Sequence, residues 1–464
     1  MFEEGNEEFE GELQEDIQRF EAFLEGEPMG FLDSDRWEAL VDHFLISGNY
    51  NKALLCTDEA MSQFSFNAIF RLRKAQAFSG LGKLKESIQL LAEIERSELP
   101  SCEVFLTKAA VFSQLKDSGN AIKYFRQALE LAEPEDRDEI YLDLAVEYEG
   151  MGKWNEALEV LKEAIRANPS NEGAIYEIAF CYDHLGDYEQ SIKCYSDFID
   201  ENPYSFTAWY NLGNAYLRTD QFEQAVWAYD YSILINDDFG PVYFNLGNAY
   251  LSMDTFTKAR ESFEKSMELD GEDAMALCYV GECYERLNEL ESARENYKRC
   301  LELVPTLAEG WLGLGILEDL EGRTKEGIVL LHKAAELSPE NAGIFHVLAG
   351  AYEKIEEFDK ALEHYEASLK LDGEDEECLM NYIHLIARDS HQLALEYLER
   401  FEEEEVKNEY LELLKVELLW FLGHKEESLH LFRQCLEKDR ELALELFEIN
   451  PSLKSVPEFV LLGD

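Results

Sequence analysis

The chain has 464 residues, 98 acidic against 41 basic, and a formal net charge of −57, which opposes direct binding to nucleic acid or to an anionic membrane surface. Nine cysteines, an odd number with no Cys-x-x-Cys pair, read as free thiols of a reducing compartment. The opening MFEEGNEEFEGE has no basic-then-apolar leader, and no later run reaches about 18 uninterrupted apolar residues, so a cytoplasmic location without a membrane span is expected.

Residues 1–33 hold twelve acids and one base, Arg19. Leu13, Ile17, Phe20 and Leu24 recur at helical spacing, which predicts a short helix with one apolar face. Such a segment either caps the first unit of the array that follows or serves as an acidic arm that folds on a partner.

From residue 34 to 375 a small residue returns every 34 positions, at Ala53, Ser87 and Ala121 and, after a two-residue insertion, at Ala157, Ser191, Ala225, Ala259, Ala293, Gly327 and Ala361. A second small series lies twelve residues earlier, from Val41 and Ala75 through Gly213, Gly247, Gly281 and Gly315 to Ala349. The spacing predicts two helices per unit that approach closely at these residues. Three residues after the second series stands a ring, as at Phe44, Tyr182, Tyr216, Tyr250, Tyr284 and Tyr352, with Glu318 breaking the pattern; these rings are expected to fill the volume the small residues leave. Gly48, Gly82, Gly152, Gly186 and Gly322 mark the end of the first helix, with Asp220, Asp254 and Asn288 as substitutes that tolerate a left-handed backbone; Glu356 at this place has no account from sequence. Pro169, Pro203, Pro305 and Pro339 stop the second helix.

The set Trp209, Leu212, Gly213, Tyr216, Ala225 and Tyr229 resembles the tetratricopeptide repeat, and the organisation resembles that of cytoplasmic bacterial scaffold proteins built from it. The resemblance implies an all-α, right-handed superhelical solenoid of ten units over 34–375. Residues 376–440 depart from the pattern, with Tyr382, Ile383 and Ile386 where Leu, Gly and Tyr belong and Ala394 one residue early, and read as one or two degenerate helix pairs. Residues 441–464 are expected to cap the last apolar face and form the tail.

No enzymatic constellation emerges. Gly313 and Gly315 form a Gly-x-Gly inside a helix, without the preceding strand a phosphate loop needs. His424 and His430 are six apart, not the four that aim two imidazoles at one metal, and no Cys/His cluster has ligand spacing. Neither cofactor, metal site nor catalytic residue is expected.

In tetratricopeptide arrays the first helix of each unit lines the concave surface, which marks Tyr176, Glu177, Tyr210, Asn211, Asn214, Phe244, Asn245, Asn248, Tyr279 and Glu282 as groove residues. Paired asparagines at 34-residue spacing form an amide ladder able to hold a peptide backbone. The segments YNLGNAYL and FNLGNAYL resemble the asparagine-bearing repeats that read peptide backbone in the sugar-transferring family of nuclear and cytosolic proteins. An acid series runs alongside, at Glu149, Asp183, Glu285, Asp319 and Glu353. Arg218 and Arg286 lack the matched lysines of a carboxylate clamp. The expectation is therefore an adaptor that binds a cytoplasmic protein or peptide with an apolar middle and Lys/Arg ends. Two rivals remain: an acidic holder or decoy for a basic nucleic-acid-binding protein, and a non-catalytic subunit that regulates an enzyme.

Overall fold

A computed structural model describes residues 2–65, 67–97, 101–403 and 410–463; Met1 and Asp464, the outer bounds of the two terminal segments, lie outside it. All described elements are helical, and the chain divides into two compact units, Met1–Asp237 and Asp238–Asp464. In the first unit, α1 (Phe2–Leu24) precedes six antiparallel pairs: α2 (Ser34–Ile46) with α3 (Tyr50–Gln63), α4 (Ala68–Gly80) with α5 (Leu84–Ser97), α6 (Cys102–Gln114) with α7 (Ser118–Leu131), α8 (Arg137–Gly150) with α9 (Trp154–Ala167), α10 (Glu172–Leu185) with α11 (Tyr188–Glu201) and α12 (Phe206–Arg218) with α13 (Phe222–Ile235). The second contains α14 (Gly240–Ser252) with α15 (Phe256–Asp270), α16 (Ala274–Arg286) with α17 (Leu290–Leu303), α18 (Ala308–Leu320) with α19 (Thr324–Leu337) and α20 (Ala342–Lys354) with α21 (Phe358–Leu371). There follow α22 (Glu376–Ala387) with α23 (His391–Glu403), α24 (Leu411–Phe421) with α25 (Lys425–Lys438), and the short α26 (Arg440–Leu444), α27 (Leu446–Ile449) and α28 (Pro457–Gly463).

The recurring small residues are buried where the helices of each pair meet, but the ring that fills the gap differs from the expected one. It comes from the second helix. A β-carbon added to Gly247 would stand 2.7 Å from the Phe263 ring, and one added to Gly281 would stand 2.8 Å from Tyr297. Tyr229 lies over Gly213 in the same way, and Gly315 is so placed that its added carbon would meet Leu331 at 2.7 Å. Tyr229 and Phe263 are fully buried; of the first-helix rings, Phe44, Tyr182 and Tyr352 are buried too, whereas Tyr216, Tyr250 and Tyr284 are only half-buried. The reason is facing: each glycine lies on the side of the first helix turned toward the second, so the ring that meets it comes from the second helix.

First helices of successive repeats approach one another closely, α2 with α4, α4 with α6, α8 with α10 and α10 with α12 in the first unit, and α16 with α18 and α18 with α20 in the second. Among the described residues no pair of successive second helices comes comparably close. Within each unit the first helices thus form the inner face, and the second helices splay on the outer one.

The helix stops are left-handed throughout, at Gly48, Gly82, Gly152, Gly186 and Gly322 and also at Asp220, Asp254 and Asn288. Glu356, at φ 61°, does the same, and so does Lys116 at 58°. The conformation lets Glu356 N–H donate to Glu353 O at 2.9 Å and Glu357 N–H to Tyr352 O at 3.0 Å, satisfying carbonyls that the helix end would leave open. Glu318, where a ring was expected, accepts from Arg294 at 2.5 Å and also pairs with Arg323, while Arg294 reaches Glu321 at 2.8 Å. A partly buried four-member ion network takes the place of the aromatic contact.

At the N-terminal end Phe20 is fully buried against Phe44 and Trp37, with ring centroids 5.5 and 6.4 Å away. Beside it the buried Asp16 accepts two bonds from the Arg36 guanidinium, both at 2.7 Å. At the other end Phe459 is fully buried, 4.9 Å from Trp420 and 5.1 Å from Phe432.

Two outcomes follow for stability. Gly247→Ala and Gly281→Ala drive a methyl into a fixed ring and should lower the melting temperature, at a cost of about 1–3 kcal/mol each. Gly350→Ala, a helical site with nothing within 4 Å, should instead gain up to about 1 kcal/mol from helix propensity. Thermal unfolding followed by circular dichroism distinguishes them, since equal responses contradict the ring-over-glycine packing. Glu356→Gly should stabilise by about 1 kcal/mol, because only glycine adopts that backbone without steric cost.

Candidate functional site

The inner face of the first unit is best defined on α8 and α10. It exposes apolar surface that packing does not use: Val146 is 53% exposed, Tyr176 62% and Phe180 45%. The Phe180 ring meets Trp154 edge-on at 5.6 Å, and His184 stacks on Trp154 at 4.0 Å, so the aromatic group is held in place. Val146 and Phe180 occupy the same place in successive repeats, two turns into the first helix. The sequence analysis singled out Tyr176 and Glu177 here but passed over these two, although the 34-residue register shared with Asn214 and Asn248 marks them.

Among these apolar groups stand Asp143, Glu149 and Glu177. Burial raises the carboxyl of each above its ordinary value; Glu139 and Glu147 add to the rise at Asp143, and Glu149 adds to it at Glu177. Glu149 accepts from the Cys181 thiol at 3.5 Å. Among the described residues no lysine or arginine forms an ion pair with Asp143, Glu149, Glu177 or the exposed Asp183. The face is therefore apolar and under-neutralised.

On α12 the amides are less free than expected. Asn211 is only 6% exposed, and its Nδ2 is buried without a hydrogen-bond partner. Asn214 accepts from the Tyr229 hydroxyl at 2.8 Å and donates to Asn211 Oδ1 at 3.5 Å. Asn211 thus lies in the packing, and the half-buried Asn214 is engaged because the ring over Gly213 carries a hydroxyl that must be satisfied when buried.

In the second unit the ring over Gly247 is Phe263, which has no such need. Asn248 is half-buried with no partner among the described residues, and Asn245 is half-buried beside it. Phe244 and Tyr279 close over Phe263, with centroids 5.5 and 5.2 Å from it and 5.8 Å from each other. The acid series here is largely tied down. Glu285 accepts from Tyr297 at 2.9 Å and Glu353 from Tyr365 at 3.1 Å. Asp319 accepts from Thr324 at 2.8 Å and pairs with Lys354 at 2.5 Å. Burial lifts Glu282, with Arg286 opposing, and pushes Glu285 up to about 7 against the Tyr297 hydrogen bond, which favours the charged form.

Two further clusters escaped sequence analysis because their members are distant in the chain. Arg73 on α4 sits among Glu38 and Asp42 of α2 and Glu103 of α6, reaching Asp42 at 2.6 Å and Glu38 at 3.3 Å. Burial nevertheless holds the Glu38 and Asp42 carboxyls above their usual range. His346, Asp375 and Cys378 bring three donor atoms within 4.8 Å of one another. His346 Nδ1 lies 3.1 Å from Asp375, Asn381 Nδ2 lies 3.3 Å from His346 Nε2, and Asp375 accepts from the Cys378 backbone N–H at 2.9 Å. These bonds fix the start of α22 on α20. The nine cysteines are all free thiols, and no described helix is long and apolar enough to cross a membrane. Gly313 and Gly315, the Gly-x-Gly of the sequence, serve packing against Tyr297 and Leu331.

Comparison with known proteins agrees with this architecture. Three tetratricopeptide-repeat family models match residues 182–241, 239–305 and 344–378, and the model of anaphase-promoting complex, cyclosome, subunit 3 matches residues 114–198. None of the curated proteins compared matches the chain significantly. Among solved structures, MamA from residue 41 to its end, from Desulfovibrio magneticus RS-1, is 24% identical over 36% of this chain and 95% of its own, at a TM-score of 0.33. The Cut9 and Hcn1 hetero-tetramer of the anaphase-promoting complex gives 14% identity over 79% of this chain and 86% of that one, at 0.43. The family matches support a protein–protein interaction scaffold and point to a non-catalytic fold. With the 34-residue register, the helix pairs and three family models in agreement, the chain is a tetratricopeptide-repeat protein.

Proposed function

We propose that this protein is an adaptor whose inner face binds an extended segment of a partner carrying apolar side chains flanked by lysine or arginine. The observation that carries this is the pairing on α8 and α10 of exposed Val146, Tyr176 and Phe180 with carboxyls that lack a cation. An apolar surface of this kind gains from being covered, and a carboxylate held half out of water gains most from a positive neighbour. Within the second unit Phe244, Asn245, Asn248 and Tyr279 form a comparable surface, on which the Asn248 amide can pair with peptide N–H or C=O. Asn211 and Asn214 contribute mainly through the packing of α12. The acids Glu149 and Asp183 steer a basic partner, while Glu285, Asp319 and Glu353 are shared between steering and holding the fold.

Affinity capture with the intact chain from native lysate, read by mass spectrometry at low and physiological salt, tests the proposal. Partners should be retained through basic, apolar segments and lost by Tyr176→Ala with Phe180→Ala. Capture that is indifferent to both salt and these substitutions contradicts it, and release by added DNA or RNA would instead favour the decoy role.

The two asparagine pairs should separate. Asn248→Ala is expected to weaken partner binding several-fold, since one amide hydrogen bond is worth about 0.5–1.5 kcal/mol, with an unchanged melting temperature. Asn214→Ala should lower stability by about 0.5–1.5 kcal/mol by removing the bond from the Tyr229 hydroxyl, and Tyr229→Phe should remove most of that loss in a double-mutant cycle.

The charge on Glu285 gives a pH-dependent outcome. Its folded-state value of about 7 lies above the ordinary 4.5, so the folded chain keeps the proton longer than the unfolded one. Stability should fall as pH rises through that window and stay reduced above it. Glu285→Gln, which still accepts from Tyr297, should therefore stabilise at pH 8 by on the order of 2 kcal/mol and have little effect at pH 4.5. Chemical denaturation at the two pH values reads the difference directly.

A further inference from the structure

In the second unit α20, the first helix of the last regular repeat, and α22, which opens the degenerate part, meet at a group of three unlike donors. A ring nitrogen of His346, a carboxylate oxygen of Asp375 and the Cys378 sulfur all lie within 4.8 Å of one another. Asp375 caps α22 and Cys378 stands three residues on, so a carboxylate and a thiolate here sit where the helix dipole favours negative charge. His346 faces them across the repeat junction from 29 residues before Asp375, a separation at which no linear ligand spacing is visible.

One Asp375 oxygen is committed to the cap and accepts from the Cys378 N–H at 2.9 Å, while the other faces His346 Nδ1 at 3.1 Å. Bonds of about 2.0–2.3 Å set four-coordinate ligand atoms roughly 3.3–3.8 Å apart, so a contraction of at most about 1.5 Å closes the three donors round an ion. The His346 and Asp375 side chains are 19% and 23% exposed, whereas Cys378 is fully buried, so an ion enters from solvent and has the sulfur behind it. The second ring nitrogen is held too. Asn381 Nδ2 lies 3.3 Å from His346 Nε2, and with the amide turned over its oxygen accepts the Nε2–H that a ring bound through Nδ1 carries. The segment that brings Asp375 in, residues 372–377, has five acids in six positions, a field that concentrates cations.

We propose that His346, Asp375 and Cys378 form a zinc site, with water as the fourth ligand, that clamps the last regular repeat to the degenerate pair after it. Imidazole, carboxylate and thiolate together suit a borderline-soft divalent ion, whereas magnesium and calcium take oxygen ligands. Binding displaces the thiol proton and shifts the imidazole proton from Nδ1 to Nε2. Thiolate and carboxylate then cancel the double charge of the ion, so the occupied site is neutral where it is closed off from water. The site stands whether or not the inner face binds a basic segment.

Cobalt(II) tests this, because its four-coordinate thiolate complexes show a sulfur-to-metal charge-transfer band in the near ultraviolet and intense visible d–d bands. The full chain, reduced and stripped by a chelator, should develop both on titration, saturating at one cobalt per chain at roughly micromolar free metal, and zinc should abolish them. Cys378→Ser should remove the charge-transfer band with the helical circular-dichroism signal retained. Asp375→Asn keeps the cap, since asparagine serves there equally, so its metal-free melting temperature should be unchanged while cobalt binds tenfold or more weakly. Asn381→Ala should weaken binding about tenfold through the orientation of His346. Zinc should raise the melting temperature of the parent chain and not that of Cys378→Ser. If Cys378→Ser fails to fold, Asp375→Asn and Asn381→Ala decide. Cobalt binding without the sulfur band, which would place the metal on surface carboxylates, overturns the proposal. So does a sulfur band that survives Cys378→Ser, or equal cobalt affinity of the parent chain and Asp375→Asn.

Discussion

The architecture depends on one contact repeated along the chain: a ring or branched side chain of the second helix laid over a glycine or alanine of the first. Where the first helix has glycine, as at Gly213, Gly247 and Gly281, the partner is Tyr229, Phe263 or Tyr297, and no room remains for even a methyl group. This contact sets the separation within each pair. With that separation fixed, first helices of neighbouring repeats come close within each unit while second helices splay, and the inner face is a product of that asymmetry. The inner face keeps side chains such as Tyr176 and Phe180 free because packing is completed on the other side of the helix.

The ring's own chemistry then decides what the inner face has left to offer. A buried tyrosine hydroxyl requires a partner, and the nearest polar group belongs to the first helix one or two turns on. Tyr229 claims Asn214, Tyr297 claims Glu285 and Tyr365 claims Glu353. Phe263 claims nothing, and Asn248 is left without an internal partner among the described residues. A single oxygen on the second helix therefore moves a residue on the opposite helix from recognition into folding. Tyr195 shows the other extreme, since its hydroxyl is buried without a hydrogen-bond partner among the described residues.

This also explains which features were legible in the sequence. The period, the small residues, the left-handed stops and the helix pairs follow from spacing and from glycine and proline chemistry, all local properties of the chain. Glu356 seemed anomalous only by residue type; its backbone does what the glycines do. Glu318 broke a pattern of rings because Arg294, 24 residues earlier, and Arg323 supply an ionic substitute. The freedom of each asparagine was not legible, since it depends on whether the residue packed across the pair is Tyr229 or Phe263. The same holds for the Arg73 cluster, whose members meet only after three repeats have stacked, and for the His346, Asp375 and Cys378 group, which needs two.

Charge completes the argument. An acidic surplus spread over solvated helix faces keeps a repeat protein soluble and selects nothing in particular. Selection arises where carboxyls are brought out of water beside apolar groups, as at Asp143, Glu149 and Glu177, because there a cation relieves both the burial cost and the mutual repulsion.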